Sequence, residues 1–175
     1  VLDGPPSWDL LAGVRQDSPL VTPDPDNEDR LVEAVRAART DGDTMGGVVG
    51  AVVRGLPPGL GSHTHWDRKL DGRVLAALGS IHSVKAAAVG AGIEVAGRYG
   101  SAAHDPIHPV DGQLQRETNH AGGLEGGVTN GEDLVARAYF KPISTLRKGL
   151  PSVDLATGEP GATGVWVDPA RFRLS

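Results

Sequence analysis

A glycine-rich loop joined to an apolar run constrains this chain more than any other feature. Between residues 119 and 145 the sequence reads NHAGGLEGGVTNGEDLVARAYFKPIST. Glycine adopts positive φ at no steric cost, but ordering it costs more conformational entropy than ordering other residues. Such a loop is expected to approach a ligand closely, because successive amide N–H groups can form an anion-binding concavity. Lys141, Ser144 and Thr145 would add a charge and hydroxyl donors, so the sequence predicts a phosphate-binding loop.

The composition argues against several classes of protein. A formal net charge of -5 is unlike that of nucleic-acid-binding proteins, which usually carry a clustered basic face. Since the chain has no cysteine, it has no disulfide and no thiolate ligand, which is compatible with a reducing compartment. No apolar window approaches the length of a transmembrane helix, and no signal region opens the chain. We therefore expect a cytoplasmic protein that binds neither nucleic acid nor membrane.

Local patterns in the first part of the chain predict one helix and one strand. Asp24 is a suitable N-cap and is followed by Pro25, which is favourable in the first helical turn. Apolar residues then recur at helical spacing until the chain reaches Gly42. The β-branched residues of 48–53 predict a strand that ends before the turn at Pro57.

Patterns in the rest of the chain are less regular. Apolar spacing predicts a second helix from Leu70 to Lys85, whereas residues 90–116 show no clean period and are interpreted as an irregular surface segment. Alternation predicts a strand over 134–140, and a further short strand is expected at 152–155. The order helix, strand, helix, strand is typical of a mixed α/β or α+β architecture.

Several motifs occur in an order that resembles one enzyme family. They are DGDTMGGVV at 41–49, RGLPPGLGSHTHWDRKLD at 54–71, SIHSVKA at 80–86, RYGSAAHD at 98–105, TNHAGGLEGGVTNGE at 118–132, KPISTL at 141–146 and SVDLATGE at 152–159. Together they resemble the middle and later part of chorismate synthase. The resemblance implies an α+β fold, an incomplete β-α-β sandwich of the chorismate synthase type. It also implies a partial family domain over 1–159 and a divergent tail over 160–175.

The resemblance implies a lyase of the shikimate pathway, which leads to aromatic amino acids. Such an enzyme converts 5-enolpyruvylshikimate 3-phosphate to chorismate by anti-1,4-elimination of phosphate. Reduced FMN is the implied cofactor, NADPH is a candidate reductant, and a homotetramer is the implied assembly. Carried over residue by residue, the flavin contacts of the family fall on His82, Ser83, Gly126, Lys141, Pro142, Ile143, Ser144 and Thr145. In this interpretation His82 and Ser83 lie in the second helix.

The sequence also departs from the family pattern. The Gly-Glu-Ser-His-Gly and Arg-Pro-Gly-His-Ala-Asp motifs, which carry the two key histidines of the family, are not in this sequence, so its catalytic residues are unknown. The tail reads GATGVWVDPARFRLS and lacks the closing Arg-Ser-Asp motif. We therefore expect a family member by descent, in the form of a fragment or a frameshifted product. The alternative function is a non-catalytic fragment that retains only flavin-binding or assembly surfaces.

Two groups of residues that contain histidine are candidates for a catalytic or a metal site. His63, His65 and Asp67 occupy alternate positions that would share one face of a strand, which raises a small metal-dependent hydrolase as a third hypothesis. No further ligand stands at a suitable spacing, so the prediction is that no metal is bound. His104, Asp105 and His108 are interpreted as loop residues rather than as a catalytic pair.

Overall fold

The computed structural model describes residues 8–14 and 17–163. The α-helices in these ranges are α1 (Trp8–Ala12), α2 (Pro25–Thr40), α3 (Leu70–Gly79) and α4 (Gly100–Ala103), and a 3₁₀-helix covers Gly92–Gly97. The strands are β1 (Gly47–Val53), β2 (Val84–Val89), β3 (Ile107–Val110), β4 (Gln113–Arg116), β5 (Leu124–Glu125), β6 (Val128–Thr129), β7 (Leu134–Phe140), β8 (Leu150–Val153) and β9 (Pro160–Thr163). This mixture of helices and antiparallel strands agrees with the predicted α+β class.

The described residues divide into two compact units. The first unit contains the described residues up to 23 together with 47–141, and the second contains 24–46 together with 142–163. The division falls between Lys141 and Pro142, inside the segment for which the sequence predicts flavin contacts. The predicted boundary at residue 159 stays a prediction, and most of the divergent tail, 164–175, lies outside the described residues.

A three-stranded antiparallel sheet forms the centre of the first unit. Strand β7 lies between β1 and β2, and its Ala138 is paired with Val49 on one side and with Ala87 on the other. Helix α3 packs against β2 and β7. Because β7 has a strand on each side, its residues Val135, Ala136 and Ala138 are buried, and they make up most of the small apolar core. The glycine-rich loop leads directly into this central strand.

The second unit is built from α2 and the β8–β9 hairpin. Asp24 caps α2, since its side chain accepts a hydrogen bond from the Asn27 amide at 3.1 Å, as the sequence predicts. After the helix, Gly42 adopts a φ of 72°, and its carbonyl accepts a hydrogen bond from the Lys148 amide at 3.0 Å. This bond ties the end of the helix to the chain that leads into β8.

The prediction of one helix from Leu70 to Lys85 is wrong at its C-terminal end. Helix α3 ends at Gly79, and Val84 begins strand β2, so His82 lies in the turn between the two elements. Ser83 has a φ of 71°, which no helix accommodates. The apolar run after the turn is rich in alanine, a helix former, but pairing with β7 outweighs that weak local preference.

Residues 90–116 are also more regular than predicted. They contain the 3₁₀-helix, α4 and the β3–β4 hairpin. Asp111 and Gly112 connect the two strands of the hairpin with φ values of 50° and 78°. Asp-Gly is a strong signal for this kind of two-residue turn. The hairpin was not predicted because the residues on either side of the turn show no regular hydrophobic period. By contrast, the strands predicted at 48–53 and 134–140 are confirmed, and the one predicted at 152–155 begins and ends two residues earlier.

Candidate functional site

Most glycines of the loop serve close backbone packing. A Cβ on Gly122 would lie 2.3 Å from the amide nitrogen of Gly90, and a Cβ on Gly123 would lie 2.6 Å from the carbonyl oxygen of Asp133. Gly127 is similar, since its Cβ would lie 2.6 Å from the Ser62 carbonyl oxygen. Real side chains never approach backbone atoms so closely, so these positions require glycine for packing within the first unit.

Hydrogen bonds within the loop correct the prediction of a general anion-binding concavity. The Gly122 amide donates to the Asn119 carbonyl at 3.1 Å, and the Gly123 amide donates to Asn119 Oδ1 at 2.8 Å. The side chain of Asn119 in turn donates to the Asp133 carbonyl at 2.8 Å. Because the Gly122 and Gly123 amides already have acceptors inside the protein, these two do not bind a phosphate, and anion binding by the rest of the loop stays a prediction.

Gly126 differs from these glycines. It forms, with Gly127, the turn between β5 and β6, and its φ is 60°. It is exposed, and no atom lies within 4 Å of the position that a Cβ would take. Open space beside a residue of positive φ is what close approach of an external ligand requires. Within the two Gly-Gly pairs, Gly126 is therefore the position suited to a ligand.

Three other predicted site residues come together at the end of the central sheet. Strands β2 and β7 pair with Val84 opposite Phe140, which places the turn residues His82 and Ser83 beside Lys141. The Lys141 amide donates to the Ser83 carbonyl at 2.9 Å. His82, Ser83 and Lys141 are all exposed. Two motifs that are distant in sequence thus form one surface.

The remaining predicted residues, Pro142, Ile143, Ser144 and Thr145, continue the chain from Lys141 and belong to the second unit. All four are exposed. Within that unit the Ile143 carbonyl accepts a hydrogen bond from Thr44 Oγ1 at 2.7 Å, and the Ser144 carbonyl accepts one from the Leu146 amide at 3.1 Å. The backbone of the Pro-Ile-Ser-Thr segment is thereby held, while its hydroxyl side chains remain exposed.

Asp105 organises the start of the glycine loop, a role that sequence reasoning missed. Its carboxylate accepts hydrogen bonds from Thr118 Oγ1 at 2.6 Å, the His120 amide at 2.7 Å and the Ala121 amide at 2.9 Å. Only 1% of its side chain is exposed. Burial raises the pKa of Asp105, but the hydrogen bonds from Thr118, Ala121 and His120 outweigh it, and the pKa is held below its ordinary value. No local pattern reveals this role, because the donors lie 13 to 16 residues away.

The imidazole of His120 lies between a carboxylate and a guanidinium. Arg98 Nη1 lies 3.0 Å from His120 Nε2, and a guanidinium can only donate, so Nε2 is the acceptor. The ring proton of the neutral imidazole therefore lies on Nδ1, which faces Asp105 Oδ1 at 3.5 Å. These three side chains line a cavity of about 500 Å³ together with His104 and Glu125. The arrangement fixes the orientation and tautomer of His120.

A buried arginine fixes the turn that packs against the glycine loop. Arg137 on β7 is 7% exposed, and its Nη2 donates to the carbonyls of Gly90 and Ala91, each at 3.0 Å. Its Nη1 donates to Glu94 Oε1 at 3.2 Å. Sequence reasoning missed this residue because it assigned Arg137 to one face of an alternating strand. Bonds to two carbonyls and a carboxylate compensate much of the cost of burying this guanidinium, although its Nε is buried without a hydrogen-bond partner among the described residues.

The geometry gives no support to a metal site at His63 and His65. Within residues 8–14 and 17–163, no group of three or more His, Asp or Glu side chains is placed to hold a metal ion. His63, His65 and Asp67 are exposed. In the same described ranges, no helix is both long and apolar enough to cross a membrane.

Comparisons with known proteins agree on one family. A family model described as chorismate synthase matches residues 9–169. A chorismate synthase of Saccharopolyspora erythraea is 56% identical over 134 residues, which cover 75% of this chain and 33% of the relative. One of Thermus thermophilus is 51% identical over 158 residues, covering 89% of this chain and 41% of the relative. The chain thus spans between 33% and 41% of the length of these curated relatives.

A solved structure supports the same assignment. The crystal structure of a chorismate synthase aligns with a TM-score of 0.74 and 38% sequence identity. The alignment covers 79% of this chain and 43% of that one. This likeness confirms the predicted fold class.

Proposed function

This chain belongs to the chorismate synthase family, and on that premise we propose that it supplies the flavin-binding wall of a chorismate-forming enzyme. The proposed reaction is the anti-1,4-elimination of phosphate from 5-enolpyruvylshikimate 3-phosphate. The observation that supports it best is the contact between the Lys141 amide and the Ser83 carbonyl at 2.9 Å. It joins two segments that the family resemblance independently assigns to the flavin.

The residues that the family resemblance assigns to the flavin carry groups suited to reduced FMN. The side chains of Ser83, Ser144 and Thr145 carry hydroxyls that can donate to or accept from the polar edges of a flavin, and Lys141 carries a positive charge for an anionic group. Gly126, on the loop that precedes β7 rather than at the end that leads to Lys141, leaves open space beside its Cβ position for close approach of a ligand. When bound, reduced FMN supplies electron density as phosphate leaves and recovers it as the ring proton is removed.

The residues of this chain contribute binding and orientation. Lys141 offsets negative charge, and the hydrogen bond to Ser83 fixes the backbone from which its side chain extends. Ser83 is held at a φ of 71°, a conformation that orders the turn carrying His82. We further propose that the enzyme acts as a cytoplasmic homotetramer, as the family resemblance implies, with NADPH as a candidate source of electrons for the flavin.

Replacing Lys141 by glutamine should weaken binding of reduced FMN about tenfold, since a charge-assisted hydrogen bond contributes about 1.5 kcal/mol or more. Quenching of the fluorescence of oxidised FMN gives its dissociation constant, and anaerobic calorimetry gives that of reduced FMN, which scarcely fluoresces. Lys148→Gln is a suitable control because it removes the same charge from an exposed lysine that lies outside the Lys-Pro-Ile-Ser-Thr segment. Equal affinities of the two variants would remove Lys141 from the proposed site.

The reaction itself is tested by incubating the chain with reduced FMN and 5-enolpyruvylshikimate 3-phosphate without oxygen. Phosphate release that requires reduced FMN and falls in Lys141→Gln would support the proposed function. Saturable binding of FMN without phosphate release would support the alternative, in which this chain only binds flavin. If neither binding nor release is detected, the proposal is wrong for this chain.

A further inference from the structure

An ion pair braces the residue that precedes Gly126. Arg116 lies at the end of β4, and its Nη2 is 2.5 Å from Oε2 of Glu125 at the end of β5. The same carboxylate oxygen accepts a hydrogen bond from Asn130 Nδ2 at 2.9 Å, just after β6. The side chain of Glu125 is thus held by contacts with both Arg116 and Asn130. The next residue along the chain is Gly126, which has no neighbour of its own beside its Cβ position.

The burial and contacts of Arg116 indicate that its guanidinium is held in one place. Its side chain is only 16% exposed, whereas that of Glu125 is 45% exposed. Its Nη1 lies 3.4 Å from the carbonyl oxygen of Asp105, so the guanidinium also contacts the residue that organises the start of the loop. A largely buried, planar guanidinium with two contacts loses less side-chain entropy per bond than a flexible surface ion pair. The pair therefore connects the β3–β4 hairpin to the turn that carries Gly126.

We propose that Arg116 is a positioning residue that, through Glu125, holds the Gly126 turn in the conformation that receives flavin. This inference rests on the proposed function, because it takes Gly126 as a flavin contact. Gly126 has a φ of 60° and nothing beside its Cβ position, whereas the following residue, Gly127, is packed against Ser62 and Lys69. A glycine without such packing would lose much conformational freedom on binding a ligand. Arg116 orders the turn beforehand and so lowers that loss.

The test compares Arg116→Gln, Glu125→Gln and the double variant with the unchanged chain. The control is His108→Gln, because His108 lies on the same hairpin and contacts Glu117 at 3.1 Å, an exposed pair away from Glu125. Amide hydrogen exchange over residues 124–129 measures the order of the turn, and quenching of FMN fluorescence measures affinity. Each single variant should exchange faster and bind FMN about tenfold more weakly. The double variant should be no weaker than either single one, and the control should be unchanged.

Arg116→Lys keeps the charge and should recover part of the affinity lost in Arg116→Gln, which a nonspecific loss of stability would not produce. It also carries the test if the glutamine variant does not fold, because it should still bind FMN more weakly than the unchanged chain. Unaltered exchange over 124–129, or unaltered FMN affinity when the unchanged chain binds, would overturn the positioning role alone. If the unchanged chain binds no FMN, the proposed function fails first, and the positioning role for flavin fails with it.

Discussion

Replacing Gly122 by alanine is expected to lower the free energy of unfolding by about 3 kcal/mol, the largest loss among the glycines of this loop. The added methyl would lie 2.3 Å from the Gly90 nitrogen and 2.4 Å from the Gly90 Cα, so backbone would have to move. The φ of 64° adds strain for any residue with a Cβ. Urea denaturation followed by circular dichroism would measure the loss.

Gly126→Ala is the matched control, because its φ of 60° is nearly the same but the space beside it is open. We expect a loss of about 1 kcal/mol, from the backbone conformation alone. In Gly126→Ala, the loss of binding free energy for FMN should exceed the loss of free energy of unfolding. If the two alanine variants are equally stable, the distinction between packing glycines and a ligand-facing glycine is wrong.

Replacing Asp105 by asparagine is expected to lower the free energy of unfolding at neutral pH by about 2 kcal/mol. The asparagine amide group can accept through only one of its two end atoms, so at least one of the donors Thr118, His120 and Ala121 loses its partner. Asp67→Asn removes the same charge from an exposed position and should leave stability nearly unchanged.

The effect of Asp105 should also depend on pH in a defined direction. Its pKa is lower in the folded protein than its ordinary value of 3.8, so the ionised carboxylate stabilises the fold. That contribution is complete above the ordinary value and is lost as pH falls through the lower folded value. The stability difference between the unchanged chain and Asp105→Asn should therefore be constant near neutral pH and shrink below about pH 4. A difference that grows with acid would contradict the assigned hydrogen bonds.

Elements with strong local signals could be predicted from the sequence. The N-cap at Asp24 and the proline after it mark the start of α2, and runs of β-branched or alternating residues mark β1 and β7. Strand β2 could not be predicted in this way. Its alanines favour helix locally, and only pairing with β7 makes them a strand.

The residues of the candidate site also divide into those that the sequence could predict and those that only tertiary contacts reveal. The family resemblance predicted Ser83, Gly126 and Lys141, and the fold places Ser83 and Lys141 in contact. The sequence could not separate Gly122 from Gly126, because both have positive φ and only the neighbouring backbone distinguishes them. Asp105 gave no local signal either, since the donors to its carboxylate come from the loop that follows the β3–β4 hairpin.

The most direct test is a titration of the isotopically labelled chain with reduced FMN, followed by the chemical shifts of its backbone amides. If the flavin binds as proposed, saturable shifts should concentrate at His82, Ser83, Gly126, Lys141, Ile143, Ser144 and Thr145. The amides of Arg98, Gly100 and His104, which line the cavity described above and are not neighbours of Gly126 in sequence, should shift less. Absence of shifts at saturating flavin, or shifts confined to that cavity, would contradict a flavin-binding wall built on Ser83, Gly126 and Lys141.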